Sequence, residues 1–285
     1  MLNWRFAGIQ GSSLPPEQLF TMVTTTRNAV TPSLAKSYLD LLLAGDRQAA
    51  RQLIDQNIAK GTSPRDLLTS LVYPTMELIQ ALYREDRISI AQLNLSTRLN
   101  RSVTDQLSAQ LPRNAPNGKR TLIVCGNAEP EELGGQVCAD LFESDGWAVR
   151  FTGAGVPDDE ILKLTGEFRP DVLVFFATLP QGMPAVRKLI DYIREINANP
   201  TMQIMCCGGI YKRAEGLAEE IGADLFAEDA ATAVSIANEN PSQRASVEQQ
   251  TVGRARRIKK AEIRRQQQTQ RIAPRPLEPR RAEAA

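Results

Sequence analysis

The stretch "RTLIVCGNAEPEELGG", residues 120–135, decides how the chain is read. "TLIVC" is a short run of β-branched and apolar residues, the composition of a strand buried on both faces. Gly126–Asn127 is a tight-turn signal. An acidic segment follows, and then the apolar spacing of a helix. Strand, glycine turn and helix in that order form the ligand-bearing corner of a doubly wound α/β domain.

The same alternation runs downstream. "WAVRFTG", "DVLVFFA", "MQIMCCGG" and "DLFA" read as four more strands. Helices are expected near 132–145, 158–168, 182–197, 212–221 and 229–239. Near-continuous apolar strands imply a parallel sheet. Right-handed crossovers restrict its topology, and the order 2-1-3-4-5 is expected.

Upstream the period changes to helical. Leu34, Tyr38, Leu41 and Leu42 share one face. Ser63 and Pro64 are an N-cap and first-turn pair. Pro74 is expected to kink or divide its helix. About four helices with short connections make a bundle. The expected organisation is an N-terminal extension (1–32), a helical bundle (33–111), a linker "PRNAPNGK" (112–119), the α/β domain (120–240) and a tail (241–285). The fold class is α/β, a flavodoxin-like five-stranded sheet behind a helical cap.

Composition excludes several functions. The chain has no histidine and no CxxC spacing, which argues against zinc. It offers no histidine-based triad, no Walker loop and no GxGxxG after the first strand. Cys125, Cys138, Cys206 and Cys207 read as reduced cysteines of a cytoplasmic protein. No apolar run is long enough to span a membrane, and "MLNWRFAGIQGSS" does not read as a signal peptide. Residues 254–281 hold eleven basic residues and two acids, so a neutral total hides an acidic body and a basic tail. That tail is expected to be disordered, and to meet nucleic acid, an anionic surface or an acidic protein.

Three loops should converge at the carboxyl ends of the strands: "GNAEPEELGG", "ATLPQG" and "CGGIYKR". Gly208–Gly209 permits a close backbone approach. With these loops and "YREDRISIAQLNLST" in the bundle, the chain resembles the cobalamin-binding module of methionine synthase, corrinoid methyl-carrier proteins and cobalamin-dependent photoreceptor repressors. The resemblance runs from about Ser33 to Asn240. It implies a corrin held between the bundle and the strand ends.

Against that family pattern, the metal-binding positions are altered. The family's D-x-H-x-x-G loop, which supplies the lower histidine ligand of cobalt, corresponds to Glu129-Pro130-Glu131-Glu132-Leu133-Gly134. Glu131 takes the histidine position, and Glu129 that of its acidic partner. A carboxylate is a harder donor than imidazole. Phe176 replaces a serine near the cofactor's nucleotide tail, two residues before Thr178. Tyr83 stands for a tryptophan over the upper face, and Leu93–Asn94 for a Glu-His pair. From these losses the expected function is a non-enzymatic regulatory or adaptor protein on a cofactor-free scaffold, acting through a protein partner. A histidine-free sensor of cobalamin or another tetrapyrrole is the alternative, and a corrinoid methyl carrier is ranked third.

Overall fold

The computed structural model describes residues 30–246, apart from the side chains of residues 129 and 130. The N-terminal extension up to residue 29 and the basic stretch 254–281 lie outside the described residues.

The described residues begin with five α-helical segments: α1 (Pro32–Ala44), α2 (Arg47–Ala59), α3 (Pro64–Leu67), α4 (Tyr73–Arg84) and α5 (Ile90–Ser108). Their ends are set by local chemistry. The Thr31 hydroxyl accepts from the Leu34 N–H, and Gly45 closes α1 in the left-handed region at φ 70°. Ser63 caps α3 with Pro64 in its first turn, and Ser89 and Gln92 form a capping box on α5.

Pro74 neither stops nor divides the helix. A π turn, Leu68–Val72, joins α3 to α4, and the Tyr73 N–H reaches back to Leu68. The wider turn absorbs the residue that cannot donate. The Val72 carbonyl accepts from Asn100 Nδ2 at 3.1 Å, and Asn100 Oδ1 accepts from the Tyr38 hydroxyl at 2.7 Å. Asn100 is fully buried, so this side chain stitches α1, the π turn and α5 together.

The second half is β1 (Arg120–Cys125), α6 (Glu129–Ser144), β2 (Ala148–Phe151), α7 (Asp158–Phe168), β3 (Val172–Phe176), α8 (Met183–Ile196), β4 (Gln203–Cys207), α9 (Gly209–Arg213), α10 (Leu217–Glu220), β5 (Leu225–Ala227) and α11 (Ala230–Glu239). All strand pairs are parallel, in the order β2-β1-β3-β4-β5. The helix expected over 212–221 is instead two short ones, broken at Gly216, which adopts φ 78°.

Alternate residues of the central strands feed two cores. Val174, Phe176, Met205 and Cys207 face α6, α11 and the bundle. Leu173, Phe175, Ile204 and Cys206 face α7 to α10. The first core is continuous from Tyr38 in α1 to Ala237 in α11, so the bundle and the sheet share one apolar interior. The bundle lies along α6, through Ser108 Oγ to Asp140 (2.5 Å) and Gln136 to Asp105 (2.8 Å). Through α4 it reaches the carboxyl ends of the strands, as the Tyr73–Phe176 contact shows.

Candidate functional site

Glu131 is not on a loop, contrary to the sequence expectation. Helix α6 begins at Glu129, and Glu131 is the third residue of its first turn. Its side chain turns back past the helix start. Oε1 accepts from the backbone N–H of Thr178 (2.9 Å) and of Leu179 (3.0 Å), and Oε2 from that of Ala128 (3.3 Å). The residue is 5% exposed. One carboxylate thus ties the loop after β1 to the loop after β3. It sits so close to Gly126 that a Cβ there would fall 2.1 Å from Oε2. Glu129 opens the helix; its side chain is outside the described ones.

The other expected residues of the sheet domain do converge. Phe176, at the end of β3, packs edge-on against Tyr73 of α4, ring centres 6.1 Å apart at 84°. A Cβ on Gly134 would come within 2.3 Å of the Phe176 ring and 2.9 Å of the Tyr73 ring. Phe176 therefore fills the space beside Gly134, between α6 and the sheet. Gly208 is held at φ 112°, where a Cβ would fall 2.4 Å from the Ala177 carbonyl. That close approach of two loops is possible only for glycine.

Residues not anticipated from the sequence complete the site. The Arg213 guanidinium donates to the Thr178 carbonyl. A Cβ on Gly209 would lie 2.8 Å from both Arg213 Nη1 and Glu77 Oε1, so the two side chains meet over this glycine. The Tyr73 hydroxyl donates to Glu77 Oε1 at 3.4 Å. Burial pushes the Glu77 carboxyl above its ordinary value, while the Arg213 charge pulls it back. Tyr73, Glu77, Arg213, Thr178 and Glu131 form a polar belt across the ends of β3 and β4. The Tyr73–Glu77 spacing of four is the sequence signal that one helical face carries both. Within this belt the Thr178 hydroxyl is buried and unpartnered.

Tyr83 and Asn94 do not join this assembly. Tyr83 is 37% exposed near the end of α4, and Asn94 is exposed near the start of α5, while Leu93 packs partly on the bundle core. The bundle residues that meet the strand ends are Glu77 and Tyr73, about two and three turns earlier in the helix.

A cavity of about 570 Å³ opens beside the belt, on the α7–α8 side of the sheet. Gly126, Glu131, Phe175, Leu179 and Met183 are among its walls, and Asp158 stands at its edge. Among the described residues no lysine or arginine lines it. A larger open hollow between α7 and α8, about 890 Å³, is lined by residues of those helices and by none of the belt. Burial pushes the Cys125 thiol up to about 12. Among the described residues no cluster of three or more metal-ligating side chains occurs. No described helix is long and apolar enough to cross a membrane.

Two family models, each described as a B12 binding domain, match residues 34–108 and 119–237. Together they cover more than half of the chain, which belongs to this family. A monomethylamine corrinoid protein of Methanosarcina acetivorans is 22% identical over 217 residues, 74% of this chain and 97% of that protein. A dimethylamine corrinoid protein of the same organism is 22% identical over 64% of this chain and 85% of its own length. The structure of the Methanosarcina barkeri monomethylamine corrinoid protein superposes with a TM-score of 0.65 at 18% identity, covering 74% of this chain and 99% of that one. These matches overturn the expected regulator or adaptor on a cofactor-free scaffold. The relatives are corrinoid proteins, and the likeness spans bundle and sheet together. The expectation failed because it took the changes at Glu131, Phe176, Tyr83 and Leu93–Asn94 together as loss of the whole cofactor. A coordinate bond is one contribution to holding a macrocycle, and burial against the fold is another.

Proposed function

Because the chain belongs to that family, we propose that it binds a corrinoid and serves as a carrier of the methyl-carrier type, presenting the cofactor to a protein partner. The observation that supports this most is the match of both halves, bundle and sheet, to corrinoid proteins along almost their whole length. The buried, unpartnered hydroxyl of Thr178 offers a hydrogen bond to a bound group.

The residues present do not fit imidazole ligation of cobalt. The chain has no histidine, and the position that would supply one is a carboxylate already holding three backbone donors. The fold's binding surface and its metal ligand are therefore separate questions in this protein. A carrier leaves methyl loading and unloading to other proteins, which is why a protein partner belongs to the proposal.

Titration of the full-length chain with hydroxocobalamin, followed by gel filtration, tests the reading. Stoichiometric co-elution of the corrin absorbance with protein is expected. A colourless protein peak after saturating exposure would refute it.

A further inference from the structure

We infer that the basic segment 254–265 of this chain seats in the hollow between α7 and α8, so that the acidic surface it meets belongs to the chain's own sheet domain. This contact is independent of corrinoid binding and lies on the face of the sheet opposite the bundle.

The hollow, about 890 Å³, has the character of a seat for a cationic, partly apolar peptide. Leu162 of α7 and Tyr192 of α8 give it apolar walls. Tyr192 is 49% exposed, and Ile196, one turn further along α8, is 50% exposed. Side chains four apart on a helix are neighbours, so the two make one uncovered apolar strip. Among the described residues four carboxylates line the hollow, from Asp158, Asp159, Asp191 and Glu195, against two cations, Arg187 and Lys188. Arg187 is itself paired with Glu220 at 3.6 Å. The lining is therefore net negative.

The described chain ends beside this helix. The Ala245 N–H donates to Asp224 Oδ1 at 2.8 Å, and the Arg194 guanidinium, in the last turn of α8, donates to Oδ2 of the same carboxylate. The Arg244 guanidinium donates to the Thr201 carbonyl, in the connection from α8 to β4. These bonds fix the end of the described chain near the carboxyl end of α8. At 1.5 Å per residue the helix is about 21 Å long. Eight steps of chain, from position 246 to 254, span at most about 26–29 Å, which is enough to bring the basic segment to any part of α8.

The segment's composition complements the hollow. "RARRIKKAEIRR" holds seven basic residues and one acid, with Ile258 and Ile263 among them. Residues 254–281 carry a net +9 in a chain of net +1, which leaves −8 on the rest. Arginine and lysine lay their stems along apolar surface and keep their charged heads at its rim, where the carboxylates are. Nucleic acid would satisfy the heads but offers the isoleucines no apolar wall. Being on the same chain, the hollow meets the segment at an effective concentration on the order of millimolar, which a separate polyanion has to match.

Zero-length cross-linking of the full chain tests the contact. An equimolar mixture of ¹⁴N- and ¹⁵N-labelled protein, dilute and at low salt, is treated with a water-soluble carbodiimide, which joins a lysine amine to a touching carboxylate. Mass spectrometry then reads the joined peptides. Lys259 and Lys260 should couple to Asp158, Asp159, Asp191, Glu195 or the adjoining Glu220, in single-isotope pairs, and the coupling should fall away at about 0.5 M salt. Coupling chiefly to other carboxylates, or none at low salt, would overturn the inference. Mixed-isotope pairs would overturn it in favour of a second copy. An arginine-specific protease supplies the second measurement. Asp159→Lys with Glu195→Lys, both at exposed positions, should raise the rate of cleavage within 254–265 at least about fivefold at low salt, with cleavage elsewhere unchanged. Equal rates in variant and wild type would overturn the inference. So would protection of the wild-type segment that appears only on adding anionic vesicles or duplex DNA.

Discussion

Replacing Glu131 tests the centre of the site without reference to any ligand. In Glu131→Ala the N–H of Thr178 loses its acceptor in a buried setting, at a cost of about 1–3 kcal/mol. Leu179 is half-buried, so water replaces part of its bond, and about 0.5–1.5 kcal/mol is lost there. The bond to Ala128, at 3.3 Å, adds little. A destabilisation of roughly 2–4 kcal/mol follows. Glu131→Gln keeps a carbonyl for the two shorter bonds, loses the charge that strengthens them, and sets an NH₂ against the Ala128 N–H. About 1–2 kcal/mol is expected. The neighbouring Glu132 is a built-in control. Its pair with Arg101, at 3.5 Å, is about a third exposed, and Glu132→Ala should cost under about 1 kcal/mol. Urea unfolding at constant m reads all three. The reasoning fails if the alanine variant lies within about 0.5 kcal/mol of wild type, or if glutamine is no better than alanine.

Other expectations concern the bundle and the titrating groups. Asn100→Ala strands the Tyr38 hydroxyl and the Val72 carbonyl, and should cost about 2–4 kcal/mol in the same assay. A loss under about 1 kcal/mol would show that the π turn does not depend on it. Glu77 has its folded pKa raised by burial, so as pH rises from about its ordinary 4.5 the unfolded state gives up its proton first and stability falls. Glu77→Gln should flatten that fall, and melts from acid to neutral pH that keep the wild-type slope would contradict it. With its thiol pushed up to about 12, Cys125 should alkylate at pH 8 more than about a hundredfold slower than an unburied cysteine; labelling at the free rate counts against its burial.

Much of the fold was legible in the sequence because each strand is a short apolar run bounded by turn residues. The five observed strands fall within the five quoted segments, and the sheet order follows from handed crossovers. The caps at Ser63 and Pro64 were equally plain. The response to Pro74 was not, because a π turn depends on an acceptor's finding a distant partner, here Asn100 Nδ2. At the site, the substituted positions could be seen but their partners could not. Thr178 and Leu179 hold Glu131 through backbone N–H groups, which have no sequence signature. Glu77 and Arg213 are 136 positions apart in the chain and meet over Gly209 only once the bundle is seated. Tyr83 and Asn94 were placed by family correspondence, whereas the residues of α4 that meet the sheet lie about two and three turns before Tyr83.

The acidic first turn of α6 is consistent with this account, without any metal. A carboxylate at the third position of a helix sits in the positive end of the peptide dipoles, near donors the helix itself cannot satisfy. Two donors arrive from the loop after β3 and one from Ala128, so the charge is held by three backbone N–H groups that an imidazole would use only in part: a neutral ring nitrogen accepts one such bond, and a metal-bound one accepts none. Histidine at this position would therefore leave the Thr178 and Leu179 N–H groups in search of acceptors whenever it turned to cobalt. Glutamate satisfies them permanently and fixes the two loops with respect to each other. The exchange turns a residue that must move between partners into one that does not. On that view the loops after β1 and β3 are held rigid with respect to each other before any ligand arrives.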